Sequence, residues 1–137
     1  MTKLKTVLAI LFMIIGLQNS YSQNYRFKTT SVSVSEKTNK GTWEKWSKAQ
    51  NVNLIVTLDT KKDRVVVYSQ IIQLFEILEY TDEKTTPTED TISFVCKNND
   101  GEDCTVSIIT RKNQGNRKQL YITYDDRILN YNIVNFK

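Results

Sequence analysis

The chain has 137 residues, 39% apolar and 25% charged, with four glycines, one proline, two cysteines and no histidine. That length suits one domain, and the composition excludes collagen, a coiled coil and a disulfide-dense miniprotein. The formal charge is +4, and the lack of histidine removes Ser-His and Cys-His catalysis and every histidine metal site.

Residues 1–22 read as a secretory signal peptide. Lys3 and Lys5 give a positive start, residues 7–17 are apolar apart from Gly16, and Ser20 and Ser22 place cleavage before Gln23. The apolar run is shorter than the ~20 residues of a spanning helix, and no cysteine follows it to carry a lipid anchor. Cleavage implies a secreted or periplasmic protein with no membrane span. It also removes two lysines, which leaves 17 basic against 15 acidic residues, a net charge of +2. A charge that small is no footprint for nucleic acid.

Period-two alternation dominates residues 23–137, the expected single domain. Tyr25 and Phe27 share one face and Val32 and Val34 share another, so the parity switch predicts a bulge near residues 29–31. Residues 36–42 form a polar loop, and residues 43–50 are short and mixed. Val52, Leu54, Val56 and Leu58 alternate as a strand, residues 59–63 turn, and residues 64–69 carry three consecutive valines suited to a strand. Residues 70–80 are ambiguous. Ile71, Leu74, Phe75 and Leu78 fit a helix face, whereas Ile72, Leu74, Leu78 and Tyr80 fit a strand face. The strand is preferred because strands flank the segment and no capping box precedes it.

Residues 81–90 form a loop around Pro87. Inward sets then follow in order: Ile92, Phe94 and Cys96; Cys104, Val106 and Ile108; Leu120, Ile122 and Tyr124; Leu129, Tyr131 and Ile133. Residues 111–118 make a basic turn and Asp125-Asp126 a short one. The expected fold is all-β, an antiparallel meander of about eight short strands. Closure into a small barrel hides the edges best, and a sandwich is the alternative. An outer-membrane barrel would need strands of ~9–11 residues with a continuous lipid-facing band, longer than most of these.

Cys96 and Cys104 flank a hairpin in which Gly101 takes the left-handed position. That register opposes the two cysteines at a separation a disulfide can span, and export supplies an oxidising compartment, so a structural Cys96–Cys104 bridge is expected. The other reading is two reduced, buried thiols. The acidic run Asn98–Asp103 does not make a calcium loop: with Gly101 at position six, Cys96 and Ser107 fall where carboxylates belong. No metal or cofactor is expected. Arg111, Lys112, Arg117 and Lys118 crowd one turn, a solvated charge cluster or a contact for acidic headgroups. Asp125-Asp126, Glu76 and Glu79 offer carboxylates but no recognisable catalytic constellation, so no enzyme is expected.

Gly41-Thr42-Trp43 resembles the G-x-W that opens the lipocalin barrel. The resemblance implies that Trp43 plugs the barrel floor, with Arg127 from the last strand packed on it. A broader resemblance covers most of the chain after residue 22. The order W-x-x-W-S (Trp43, Trp46, Ser47), C-x7-C around Gly101 (Cys96, Cys104) and Q-L-Y-I-x-Y (Gln119 to Tyr124) is similar to small exported proteins of Bacteroidota. It implies export and no particular chemistry.

The leading expectation is a non-catalytic exported binding protein for a small apolar or amphipathic ligand, held in a cavity lined by Phe94, Val106, Leu120 and Ile122. Trp43 and Trp46 are read either as an aromatic platform or as core plugs. The rival is a packed module whose surface binds another protein or a cell-envelope polymer.

Overall fold

The computed structural model describes residues 24–136. The expected signal peptide, residues 1–22, lies outside the described residues. Ten strands follow in chain order: β1 (Asn24–Glu36), β2 (Gln50–Asn51), β3 (Ile55–Asp59), β4 (Arg64–Tyr68), β5 (Gln73–Tyr80), β6 (Lys84–Thr85), β7 (Glu89–Asn98), β8 (Asp103–Arg111), β9 (Arg117–Thr123) and β10 (Arg127–Asn135). Eight of them close an antiparallel barrel in the order β1-β3-β4-β5-β7-β8-β9-β10, with β10 pairing back onto β1. The two-residue strands β2 and β6 only extend the edges of β1 and β7. The barrel rather than the sandwich is therefore the solution, and no long unpaired edge remains to be covered.

Strand β1 makes closure possible because it is long enough to serve two neighbours. Its first half pairs with β3 and most of its length pairs with β10, with Phe27 opposite both Val56 and Asn135. The register shifts between Thr29 and Ser31, so the expected bulge is present. On the opposite edge of β1, Thr29 bridges the gap where pairing passes from β3 to β2. Its buried hydroxyl donates to Val52 O and accepts from the Leu54 N–H, both at 2.8 Å.

Inward positions of β7 to β10 follow the alternation read from the sequence. Phe94, Cys96, Cys104, Val106, Ile108, Leu120, Ile122, Tyr131 and Ile133 are all buried in one core. Phe27, Val56, Leu58, Val65, Val67, Phe75, Ile77 and Tyr124 join them. Each such side chain contributes on the order of 1.5–3 kcal/mol when fully buried.

The segment 70–80 is a strand only from Gln73 onward, and its inward face differs from the one expected. Phe75 and Ile77 point in, whereas Ile72 and Leu78 are exposed at 53% and 56%. Phe75 and Ile77 set the inward parity before the bulge, so Leu78 faces out by ordinary alternation, and a second bulge follows between Ile77 and Glu79. The extra residue, Leu78, flips every later position, which turns Tyr80 inward opposite Phe94.

The β7–β8 hairpin has the expected register, with Cys96 opposite Cys104 and Lys97 opposite Asp103. Gly101 adopts φ +82°, which L-residues with a Cβ rarely adopt. The expected disulfide is nevertheless not formed: both cysteines are free, buried thiols. A bridge needs both sulfurs to turn toward each other at a fixed dihedral. Cys96 Sγ instead turns back along its own strand toward Phe94 O, 3.6 Å away. Burial pushes the Cys96 thiol up to about 12 and the Cys104 thiol up to about 11.

The outer wall is polar. Arg111 pairs with Glu89 and donates to Gln119 at 2.8 Å, Gln119 donates to Asn132 at 3.2 Å, and Asn132 donates to Ser31 at 2.7 Å. This row crosses β7 through β10 to β1, where a lipid-facing barrel would carry apolar side chains. No helix among the described residues is long and apolar enough to cross a membrane.

Candidate functional site

The barrel has two unlike ends. At the base, β7 ends and β8 and β10 begin, and side chains close the opening. Arg127 lies over the Tyr124 ring, 3.8 Å from its centre, and pairs with Glu102 at 3.2 Å and Asp126 at 2.8 Å. Asn98 donates to the Tyr124 hydroxyl at 3.1 Å. The Arg127 guanidinium, helped by Asn98, holds the Glu102 carboxyl below its ordinary range, while burial raises Tyr124.

The opposite end is an open mouth. It is formed where β1, β7 and β9 begin and where β3, β5, β8 and β10 end. Here the barrel encloses a cup of about 880 Å³. Its floor is apolar: Phe27, Leu58, Phe94 and Ile108, with Tyr25, Tyr80 and Ile92 on the wall. Its upper wall and rim are polar, with Asp63, Glu83, Asp90, Thr110, Lys118 and Asn135. Alternation explains this division. The inward positions two residues beyond Ile92, Ile108, Leu120 and Ile133 toward the mouth are Asp90, Thr110, Lys118 and Asn135. Every strand of this half thus exchanges an aliphatic for a polar side chain at the same end.

Several contacts set the shape of the rim. Tyr80 packs edge-on against Phe94, 5.4 Å between ring centres, and its hydroxyl donates to Asp63 Oδ1 at 2.7 Å. Partial burial, and then this bond to a carboxylate, push the Tyr80 phenol up. Asp63 sits at φ 52° in the β3–β4 turn, a left-handed conformation that Asp tolerates better than most residues. Asp90 is paired with Lys112 at 3.0 Å, and this lysine holds its carboxyl below the ordinary range. Lys118 donates to Thr110 Oγ1 at 2.8 Å.

The residues singled out from the sequence are distributed unevenly over this picture. Phe94 lines the cup as expected. Val106, Leu120 and Ile122 do not: at 0–1% exposure they fill the barrel beneath it. The middle of the interior is therefore solid, between the cup and a smaller cavity of about 400 Å³ at the base, lined by Phe75, Asn98, Tyr124 and Arg127. Trp43 is not a floor plug. It is 44% exposed, pairs with Lys37 by a single bridge, and has the Lys37 ammonium 5.6 Å from its ring centre. Arg127 packs on Tyr124 instead, so the closing role expected of Trp43 falls to that tyrosine. Trp46 is 46% exposed and meets Tyr121, an outward residue of β9, edge-on at 6.2 Å. The basic turn is dispersed. Arg111 and Lys112 are matched by Glu89 and Asp90, Arg117 lies on the outer wall near Asn132, and Lys118 alone lines the cup. Glu76 and Glu79 are exposed on the outside of β5.

No family model, curated protein or solved structure matches the chain. A barrel by itself specifies no function.

Proposed function

We propose that the protein is an exported, non-catalytic binding protein that holds one small apolar or amphipathic molecule in the mouth of its barrel. The cup carries this reading. Its volume, about 880 Å³, falls in the range of small-molecule sites, ~300–1,000 Å³. Its apolar floor and polar rim have the division of a site that buries a hydrophobic body and orients a polar end. The packed middle keeps the walls in place without the ligand, which lowers the ordering cost of binding. Export rests on the lysine, apolar run and serine pattern of residues 1–22, and would leave the protein secreted or periplasmic.

The test uses a neutral fluorescent probe, N-phenyl-1-naphthylamine, and two tryptophan substitutions one residue apart. Ile108 lines the cup, and Ile109 points outward on the same strand. Ile108→Trp is expected to abolish binding of one equivalent of probe, and Ile109→Trp to leave it intact. Equal binding by both variants, or none by the unmodified protein, overturns the reading. Native mass spectrometry of protein from its own host would then identify a retained molecule.

A second reading has its own observation. Two tryptophans are 44% and 46% exposed on one short irregular segment, which favours a surface module binding another protein or a cell-envelope polymer. Under that reading Ile108→Trp leaves function unchanged, and Trp46→Ala removes it.

A further inference from the structure

We infer that the ligand's polar end is acidic: the cup takes a single-chain amphipathic carboxylate whose head rests on Lys118 Nζ and Thr110 Oγ1. This rests on the cup being a ligand site and names the class of molecule it selects. Asp90, Thr110 and Lys118 lie at one level of the wall, as direct register partners on β7, β8 and β9. All three face inward and are half-buried. Within that group the charges are unequal. Asp90 is matched by Lys112 from outside, at 3.0 Å. Among the described residues Lys118 makes no close ion pair: its ammonium donates to the neutral Thr110 hydroxyl at 2.8 Å, and Asp90 at the same level acts on it only through space. A half-buried ammonium above an apolar floor gains more from an anion than one in open water, because the local dielectric is lower.

Of the other acids of the cup, Glu83 precedes β6, which pairs with β7 at Thr91 and Asp90, whereas Asp63 stands opposite: it precedes β4, and β4 lies four strands from β9 in a ring of eight. Asp63 already accepts the Tyr80 hydroxyl at 2.7 Å. The mouth is therefore polarised across its diameter. A carboxylate is repelled by the Asp63 side and attracted to the Lys118 side. With the head seated there, an alkyl tail has one dry surface to follow: down Ile92 and Ile108 to Phe94, Phe27 and Leu58.

Decanoate, 1-decanol and decyltrimethylammonium share a chain length and differ in head charge. Each would be titrated against bound N-phenyl-1-naphthylamine at pH 7.5, in the unmodified protein and in Lys118→Met. Decanoate is expected to displace the probe at least about tenfold more tightly than decyltrimethylammonium, the effect of one charge-assisted contact. Lys118→Met should lose about tenfold for decanoate and keep its affinity for 1-decanol, which also shows that the variant cup is intact. If the cation binds as well as decanoate, or Lys118→Met leaves decanoate unchanged while 1-decanol still binds, the carboxylate assignment is wrong and the ligand-binding reading stands. If neither probe nor any of the three chains binds, the ligand-binding reading itself fails. Should Lys118→Met not fold, the ranking of the three heads on the unmodified protein decides alone.

Discussion

Thr29 ties the barrel together where its ladder breaks, and replacing it by valine isolates that role. The two side chains have nearly the same shape, so packing changes little, and the hydroxyl alone is lost. In the native protein that hydroxyl, 1% exposed at the residue level, makes two 2.8 Å bonds, to Val52 O and from the Leu54 N–H. Each bond is worth about 1 kcal/mol net, and a buried backbone group left without a partner costs about 1–3 kcal/mol. The extra methyl of valine returns up to about 0.8 kcal/mol of burial. Thr29→Val should therefore destabilise the protein by about 2–3 kcal/mol in urea melts, with an unchanged slope. Thr29→Ser keeps the hydroxyl and loses one methyl, so it should cost only about 1 kcal/mol. If serine proves more damaging than valine, Thr29 acts by packing and the bridging role is refuted.

Trp43→Ala should shift stability by no more than about 1 kcal/mol, the worth of an exposed cation–π contact with Lys37; a loss of ~3–5 kcal/mol, typical of a buried aromatic truncation, would restore the plug expected from the sequence. The two thiols should resist maleimide at pH 8 in the native protein and react on unfolding, because the thiolate is the nucleophile and burial pushes Cys96 up to about 12 and Cys104 up to about 11. Unfolded thiols titrate near about 8.5, so the unfolded chain loses these protons first and stability should fall as pH rises from about 9 toward 12. Rapid stoichiometric labelling of native protein, or flat stability over that window, would count against buried free thiols.

Most of the barrel was legible in the residues because its strands obey strict alternation. The inward sets of β7 to β10, the β1 bulge and the Gly101 hairpin all follow from local pattern, which a two-residue period and a turn conformation determine. The failures share a cause: they depend on how the wall closes. Leu78 is apolar and looks like a core residue, yet it follows the inward Ile77 and so faces out, while the bulge returns Tyr80 to the inside; nothing in the neighbourhood distinguishes bulged from regular backbone. The cysteine register was correct, but a register fixes Cα positions and not the rotamers a bridge requires. Trp43 invited a plug because large aromatics are usually buried; Tyr124, with an arginine on its face, already closes that end. For the candidate site, the sequence points to Phe94 as lining, to Lys118 only as one of four charges in a basic turn and to Tyr80 only as a strand-face residue, and it does not single out Thr110 or Asp90. A usable signal existed. Extending each inward series by two residues reaches Asp90, Thr110, Lys118 and Asn135 on four strands; at the other end the same step reaches Asn98, Glu102 and Arg127, which bond to one another and close around Tyr124.

The polar ring at the mouth also explains why one molecule can be both rigid and hollow. An eight-stranded barrel is just wide enough for its own side chains to fill. Where the inward residues are Val67, Phe75, Val106, Leu120 and Ile122, they do fill it, at 0–1% exposure. Toward the mouth the inward residues become shorter or charged, and burying Lys118 or Asp90 at the axis without a partner would cost more than leaving water there. The cup thus reflects both the shorter and the charged residues at this level. Under the proposed function, binding and stability fall to different layers of the same strands. Substitutions at the polar level should then alter what the mouth accepts while the layers beneath continue to define its width.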